Sequence, residues 1–211
     1  IRKQQKRRIQ IDPGQFDHSE YQAEVYENWR EFDPDADEEM PPDQPEPLGS
    51  KARITIYVDA DHAHDMLTRR SVTGIILFIN KTPVKWISKR QKTVETSTYG
   101  SELVASRIAT DLAIEYRYAL RMLGVHVDGP AMMFGDNKSV IINTTMPSSQ
   151  LKKKHNAVAY HRVREAIAAQ IISFFHVPSA SNFADILTKP LSSSSFYKLV
   201  KPLLFRAPKW T

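Results

Sequence analysis

From Arg53 onward the chain alternates: Ile54, Ile56 and Val58 interleave with Thr55, Tyr57 and Asp59, the period-two pattern of a strand with one buried face. Asp59 closes that strand. Two further apolar runs, residues 72–79 and 83–88, are joined by Asn80, Lys81 and Thr82, a connection short enough for a hairpin. The period then lengthens. Residues 98–123 read as a long helix with Val104, Ile108, Leu112, Tyr116, Leu120 and Leu123 on its inward stripe, Glu102 in its first turn and Gly124 as its stop. A short apolar run, residues 131–136, ends in Asp136, and residues 137–145 look helical. A basic helix follows over residues 155–170, then a β-branched and aromatic strand over 171–177. Residues 182–188 open another helical segment, and the serine run 192–195 starts a terminal one.

The order is three strands, a helix, a strand, two helices, a strand and a helix. A helix as long as 98–123 between strands returns the chain parallel to an earlier strand, so the expectation is an α/β fold on a mixed sheet of five strands, three antiparallel and then two parallel, with flanking helices. With the Met132 strand beside the Ile54 strand, Asp59 and Asp136 emerge together at one sheet edge, a topological switch point where open α/β sheets place their ligands.

Charge and composition change the picture mainly before residue 50. The first residues are basic (Arg2, Lys3, Lys6, Arg7, Arg8), residues 17–46 are strongly acidic, and 40–47 are rich in proline. Acid plus proline at low hydrophobicity predicts a solvated linker, with a turn or two of amphipathic helix between Tyr21 and Trp29. Residues 1–49 are therefore taken as linker, 50–191 as one domain, and 192–211 as a C-terminal helix and tail. The chain starts at Ile1 and not at methionine, which reads as a piece of a longer polypeptide or a processed product. With no cysteine, disulfides, thiolate nucleophiles and zinc–thiolate sites are excluded, and oxygen ligands remain for any metal. No stretch approaches the roughly 20 apolar residues of a membrane helix, so no membrane partner is expected. The net charge of +5 at pH 7 permits an anionic partner without demanding one.

Asp59, Glu102, Asp136 and Asp185 carry the candidate chemistry. Taken singly, each has an ordinary explanation as a turn former, a helix cap, or an acid favoured by a helix dipole. Gathered, they would repel one another until a divalent cation resolved the repulsion, and two such ions suit phosphodiester hydrolysis. No covalent enzyme intermediate is needed. Asp61, two residues past Asp59, would share its face if the strand continued, as a neighbour of the ligands and not a ligand itself.

Several blocks in order resemble the ribonuclease H domain of copia-type LTR retrotransposon polyproteins. They are Tyr57-Val58-Asp59-Ala60-Asp61, Arg69 to Gly74, Trp86 to Val94, Ser97 to Glu102, Asp136 to Val140, Lys154-His155-Asn156, Tyr160 to Glu165, and Asn182 to Leu191. The resemblance covers about residues 51–191. It implies a ribonuclease H fold and divalent-metal-dependent cleavage of the RNA strand of RNA/DNA hybrids during reverse transcription. The implied cofactors are two Mg2+ ions, with Mn2+ also accepted, and no small-molecule cofactor. Position by position, Asp59, Glu102, Asp136 and Asp185 fall on the family's metal-binding acids. The segment before residue 50 would link the domain to an upstream reverse transcriptase, and the expected location is an intracellular, cytoplasmic virus-like particle, with the nucleus as a second site.

The family usually shows Trp and Gly where this chain has His62 and His64, and a further acid where it has Gly100. Cellular ribonucleases H also carry a histidine in the loop before the last acid; here that loop reads Pro178-Ser179-Ala180-Ser181, and His176 precedes it. For the substrate surface the candidates are Lys89, Arg90, Lys92, Asn137, Lys154, His155, His161 and Arg162, with Lys85, Lys152, Lys153 and Arg164 as further phosphate grips. A basic run on a helix is equally the mark of a solvated face. Trp86 reads as core. The alternative functions are a catalytically idle domain of the same fold that binds nucleic acid or supports the polymerase, and a DNA-cutting relative.

Overall fold

The computed structural model describes residues 8–9, 11–21, 29–63, 65–151 and 154–205. Its elements in chain order are β1 (Arg8–Ile9), α1 (Trp29–Phe32), β2 (Leu48–Ala52), β3 (Ile54–Asp61), β4 (Val72–Ile79), β5 (Thr82–Arg90), α2 (Thr98–Met122), β6 (Val125–Val127), β7 (Ala131–Gly135), α3 (Lys138–Thr145), α4 (Ala157–Ala168), β8 (Ile172–His176), α5 (Asp185–Thr188), α6 (Ser193–Val200) and β9 (Leu204–Phe205). Residues 1–7, 10, 22–28, 64, 152, 153 and 206–211 lie outside the described set, and with them most of the basic start, the helical turns expected between Tyr21 and Trp29, His64, Lys152 and Lys153.

The central sheet has the order β5-β4-β3-β7-β8. β3, β4 and β5 pair antiparallel, whereas β3–β7 and β7–β8 pair parallel. This is the mixed five-stranded sheet expected from the element order, because α2 carries the chain back to the starting end before β7 begins.

β3 differs from the one-faced strand that its alternation predicts. It is buried on both sides from Ile54 to Ala60, Thr55 and Tyr57 included. One face packs Ile54, Ile56 and Val58 against α2 and α4, through Leu103, Ala109, Ala113 and Val163. The other presents Tyr57, Ile76, Phe78 and Phe134 to a lid made from distant parts of the chain: Phe16, Tyr21, Ala184, Ile186 and Leu203. Phe16 meets Phe78 edge-on at 5.2 Å between ring centroids, and Tyr21 meets Phe134 at 5.1 Å.

The inward stripe of α2 is also rotated from the predicted one. Leu103, Ala105, Ser106, Ala109, Thr110, Leu112, Ala113 and Leu120 are buried, whereas Val104, Ile108 and Tyr116 are half-buried and Leu123 is 77% exposed. Small residues let the helix axis sit close to the sheet, and Ser106 and Thr110 satisfy their hydroxyls on carbonyls one turn back. The larger side chains are left to flank the contact.

The acidic, proline-rich segment is largely exposed, as its composition predicts, but it is tied to the rest of the chain at a few points. Trp29 is buried, with the Arg164 guanidinium 4.8 Å from its ring centroid. Glu38 accepts from Arg117 Nε and Nη2 at 2.7 Å each and from Arg121, a fork-to-fork pairing that composition cannot reveal. β2 then pairs parallel with β6. Those contacts tie Trp29 to α4 and Glu38 to the C-terminal end of α2.

Candidate metal-binding active site

β3 continues past Asp59 to Asp61, so Asp59 lies inside the strand, 2% exposed, with Asp61 on the same face. In the antiparallel ladder its partner on β4 is Gly74. A Cβ on Gly74 would stand 2.5 Å from Thr188 Cγ2 and 2.8 Å from the Ala184 carbonyl oxygen. The missing side chain is therefore what lets the segment carrying α5 lie directly over Asp59. Asn182 fixes that segment, donating from Nδ2 to the Val58 carbonyl at 2.9 Å and accepting from Ala184 N–H at 3.1 Å.

Glu102 is on α2 beyond the first turn, which contains no acid, so the helix dipole does not account for it as the sequence position suggests. It is 5% exposed. Asp136 follows β7, and Asn137 caps α3 by accepting from Val140 N–H at 3.2 Å. Because β7 lies parallel beside β3, the two strands deliver Asp136 and Asp59 to the same edge. One carboxylate oxygen each from Asp59, Glu102 and Asp136 lie within 4.8 Å of one another. They line a cleft of about 650 Å³ together with His62, Asn137, His176 and Lys189.

Asp185 is brought beside Asp59 and not into that triad. Lys189 joins the two: its Nζ is 3.1 Å from Asp185 Oδ2 and 3.7 Å from Asp59 Oδ2. Thr188 donates its hydroxyl to Asp59 Oδ2. On the other side Ser179 donates to Asp136 Oδ2 at 2.5 Å, so the loop before Asp185 presents a hydroxyl to the cluster.

The electrostatics are those of crowded acids. Burial pushes Glu102 well above the ordinary glutamate range, and the charges of Asp59 and Asp136 push the same way against a backbone N–H from Ala60. Burial also raises Asp59, opposed by the Thr188 hydroxyl and Lys189. For Asp185, burial and then the Asp59 charge raise the carboxyl to about 6. Burial pulls Lys189 down, but Asp59 and Asp185 outweigh it and hold the ammonium above its usual value. Asp185 Oδ1 is buried without a hydrogen-bond partner among the described residues. Clustered oxygen donors, raised carboxyls and an orphaned carboxylate oxygen suit a hard divalent cation.

The candidate substrate residues divide. Lys89, Arg90, Lys92 and His155 line a second cleft of about 530 Å³ between the end of β5 and the start of α4. Arg90 is paired with Asp65 at 2.7 Å, and His155 Nε2 is 3.5 Å from the buried Glu95. His161 and Arg162 line a separate cleft, where Arg162 meets Asp111 at 3.1 Å. Lys154 stands exposed in the turn before α4, and Asn137 belongs to the acid cleft.

Two side chains depart from their expected roles. Arg164 is no phosphate grip: it donates to the carbonyls of Asn143, Met146 and Pro147 at 3.1, 2.7 and 2.6 Å and stacks on Trp29 and Tyr160. Trp86 is not core; it sits on the edge strand β5 and is 53% exposed. Lys189, Thr188, Ser179 and His176 went unassigned in the sequence. For Lys189 helix spacing offers no signal, since α5 ends at Thr188 and Lys189 follows it in extended backbone.

No family model matches. The chain is 30% identical over 151 residues to the retrovirus-related Pol polyprotein of transposon RE1 from Arabidopsis thaliana, covering 70% of this chain and 10% of the relative. It is 30% identical over 156 residues to that of transposon TNT 1-94 from Nicotiana tabacum, covering 74% and 12%. It thus spans about a tenth of the length of these curated relatives. Among solved structures, the N-terminal ribonuclease H domain of a Mycobacterium tuberculosis protein superposes with a TM-score of 0.51 at 15% identity, over 72% of this chain and 98% of that one. RNase H1 of Halobacterium salinarum does so with 0.50 at 19%, over 64% and 94%. LC11-RNase H1, solved in complex with an RNA/DNA hybrid, also gives 0.50, at 17% identity over 64% and 94%. The chain belongs to the retrovirus-related Pol polyproteins of transposons, of which it is a domain with the ribonuclease H fold.

Proposed function

We propose that this domain is a copia-type ribonuclease H that cuts the RNA strand of RNA/DNA hybrids during reverse transcription. The observation that carries the reading is the convergence of Asp59, Glu102 and Asp136 from three separate elements, with Asp185 beside them. Acids so buried are costly unless a cation is held there. Asp59, Glu102 and Asp136 would hold one Mg2+, and Asp59 with Asp185 a second; Mn2+ suits the same oxygens. What the ions supply when bound is polarisation of the scissile phosphate and a lowered pKa for the attacking water.

The chain's own residues do the rest. Thr188 and Ser179 fix the carboxylates of Asp59 and Asp136 by hydrogen bonds from outside the triad, so that the donors are oriented before a substrate arrives. The cleft is open on the side of Asp136, which is half-buried where Asp59 and Glu102 are buried, and a backbone phosphate would enter there. Lys89, Lys92 and His155, which line the second cleft, would hold further phosphates of the hybrid. The domain would act beside the upstream reverse transcriptase of the same polyprotein, inside the particle where the hybrid is made.

The test is cleavage of a labelled RNA/DNA hybrid, and of duplex DNA as control, with and without Mg2+. Asp136→Asn should keep the fold and lose cleavage. Hybrid binding without metal-dependent cleavage would instead mean an idle domain, and cleavage of duplex DNA a nuclease of another kind.

A further inference from the structure

Lys189 places an ammonium among groups that, on the reading above, are cation ligands. Its ion pairs run to Asp59 Oδ2 at 3.7 Å and Asp185 Oδ2 at 3.1 Å, so it bridges those two acids at the wall of the cleft that Asp59 lines with Glu102 and Asp136. α5 ends at Thr188 and Lys189 follows as its C-cap in extended backbone, four residues from Asp185, and Gly74 lets the whole element lie over Asp59. The contact follows from the packing of α5.

One positive charge cannot neutralise two carboxylates, and an ammonium donates hydrogen bonds only where a hydrogen points. Accordingly, Asp185 Oδ1 is still buried without a hydrogen-bond partner among the described residues. A divalent cation between Asp59 and Asp185 would satisfy both acids, but it would stand against the ammonium at close range and repel it. Lys189 is able to leave: its side chain is 35% exposed and is carried on a flexible four-carbon stem.

We propose that Lys189 is an internal counter-ion that occupies the Asp59–Asp185 side of the acid cluster in the metal-free protein and has to leave before a divalent cation is held there. Cation loading is then ordered: the Asp59–Glu102–Asp136 side fills first, and the Asp59–Asp185 side fills only as Lys189 swings out. The inference rests on the metal-binding reading above and adds to it a residue that competes with the metal. Lys189 is on this account a positioning residue, which keeps the acids gathered when no ion is present.

Mn2+ titration of the full chain, with free ion counted by electron paramagnetic resonance, tests this without any turnover. The parent should bind one Mn2+ and a second at least about tenfold more weakly. Lys189→Met should tighten the second site by about tenfold or more, and Lys189→Arg, which keeps the charge, should restore the gap. An unchanged or weakened second site in Lys189→Met overturns the inference. A measurement on the parent alone guards against a variant that misfolds: acylation of Lys189 by an amine reagent, followed by mass spectrometry, should run several-fold faster with saturating Mg2+ than without. Equal or slower acylation overturns it too. If the parent binds no Mn2+ at all, the metal-binding reading falls and takes this inference with it; if it binds two ions and Lys189 makes no difference, only this inference falls.

Discussion

Replacing Asp185 by asparagine should stabilise the metal-free protein at neutral pH, although it removes a charged partner of Lys189. The reasoning starts from the carboxyl, which burial and the Asp59 charge raise to about 6 from its ordinary 3.8. A raised folded-state pKa means that between those values the native state holds a proton that the unfolded chain has lost. Stability from this group is thus full below pH 3.8 and declines as pH rises to 6, above which the charged acid is a constant penalty. The shift of about 2 units corresponds to at most about 3 kcal/mol at 1.36 kcal/mol per unit. Asp59 and Asp185 share the repulsion, which leaves about 1–2 kcal/mol to Asp185 alone. The amide is nearly isosteric and keeps a hydrogen-bonding oxygen for Lys189. In EDTA at pH 7.5, thermal unfolding of Asp185→Asn should therefore lie about 3–6 °C above the parent, at roughly 2–4 °C per kcal/mol for a chain of this size. At pH 4.5 the gap should shrink to about a third. In Mg2+ the order should reverse, because the parent gains binding energy that the variant lacks. A variant less stable than the parent in EDTA at pH 7.5 would refute the claim that crowding of acids governs this site.

Gly74→Ala should push the Ala184–Thr188 segment back by about 1 Å, costing about 1–3 kcal/mol of stability and up to about a hundredfold in hybrid cleavage; an unchanged rate would show that this close approach does not position Asp185. Arg164→Ala should lower the melting temperature by about 6–12 °C, as three carbonyls and two rings lose a buried partner. Lys89→Ala with Lys92→Ala should leave the melting temperature alone and flatten the salt dependence of hybrid affinity. Glu38→Gln leaves Arg117, whose side chain is 4% exposed, without its carboxylate and should cost about 3 kcal/mol, readable by urea denaturation.

What the sequence makes legible here is what depends on local pattern. The apolar runs of β3, β4 and β7, with the long helix between hairpin and return strand, suffice to predict the mixed sheet and the shared edge of Asp59 and Asp136. The misreadings arise where burial is decided by chain far away. The second face of β3 is covered by Phe16, Tyr21 and the 183–187 segment, and nothing in residues 54–61 announces that cover. Glu38 looks like a solvated acid because its arginine partners stand 79 and 83 residues away. The stripe of α2 misleads by residue size: a helix that must approach a sheet closely buries alanine and serine, and sets valine and isoleucine at the flanks. Asp185 illustrates the limit at the site itself. Its motif places it with the other acids, but only the tertiary arrangement reveals Lys189 between it and Asp59.

The most direct test of the central claim is cleavage of a hybrid labelled on both strands by the parent chain and by Asp136→Asn, each in Mg2+ and in EDTA. The account predicts loss of the RNA strand alone, in the parent alone, and in Mg2+ alone. Cleavage by Asp136→Asn at the parent's rate, or by the parent in EDTA, would contradict it.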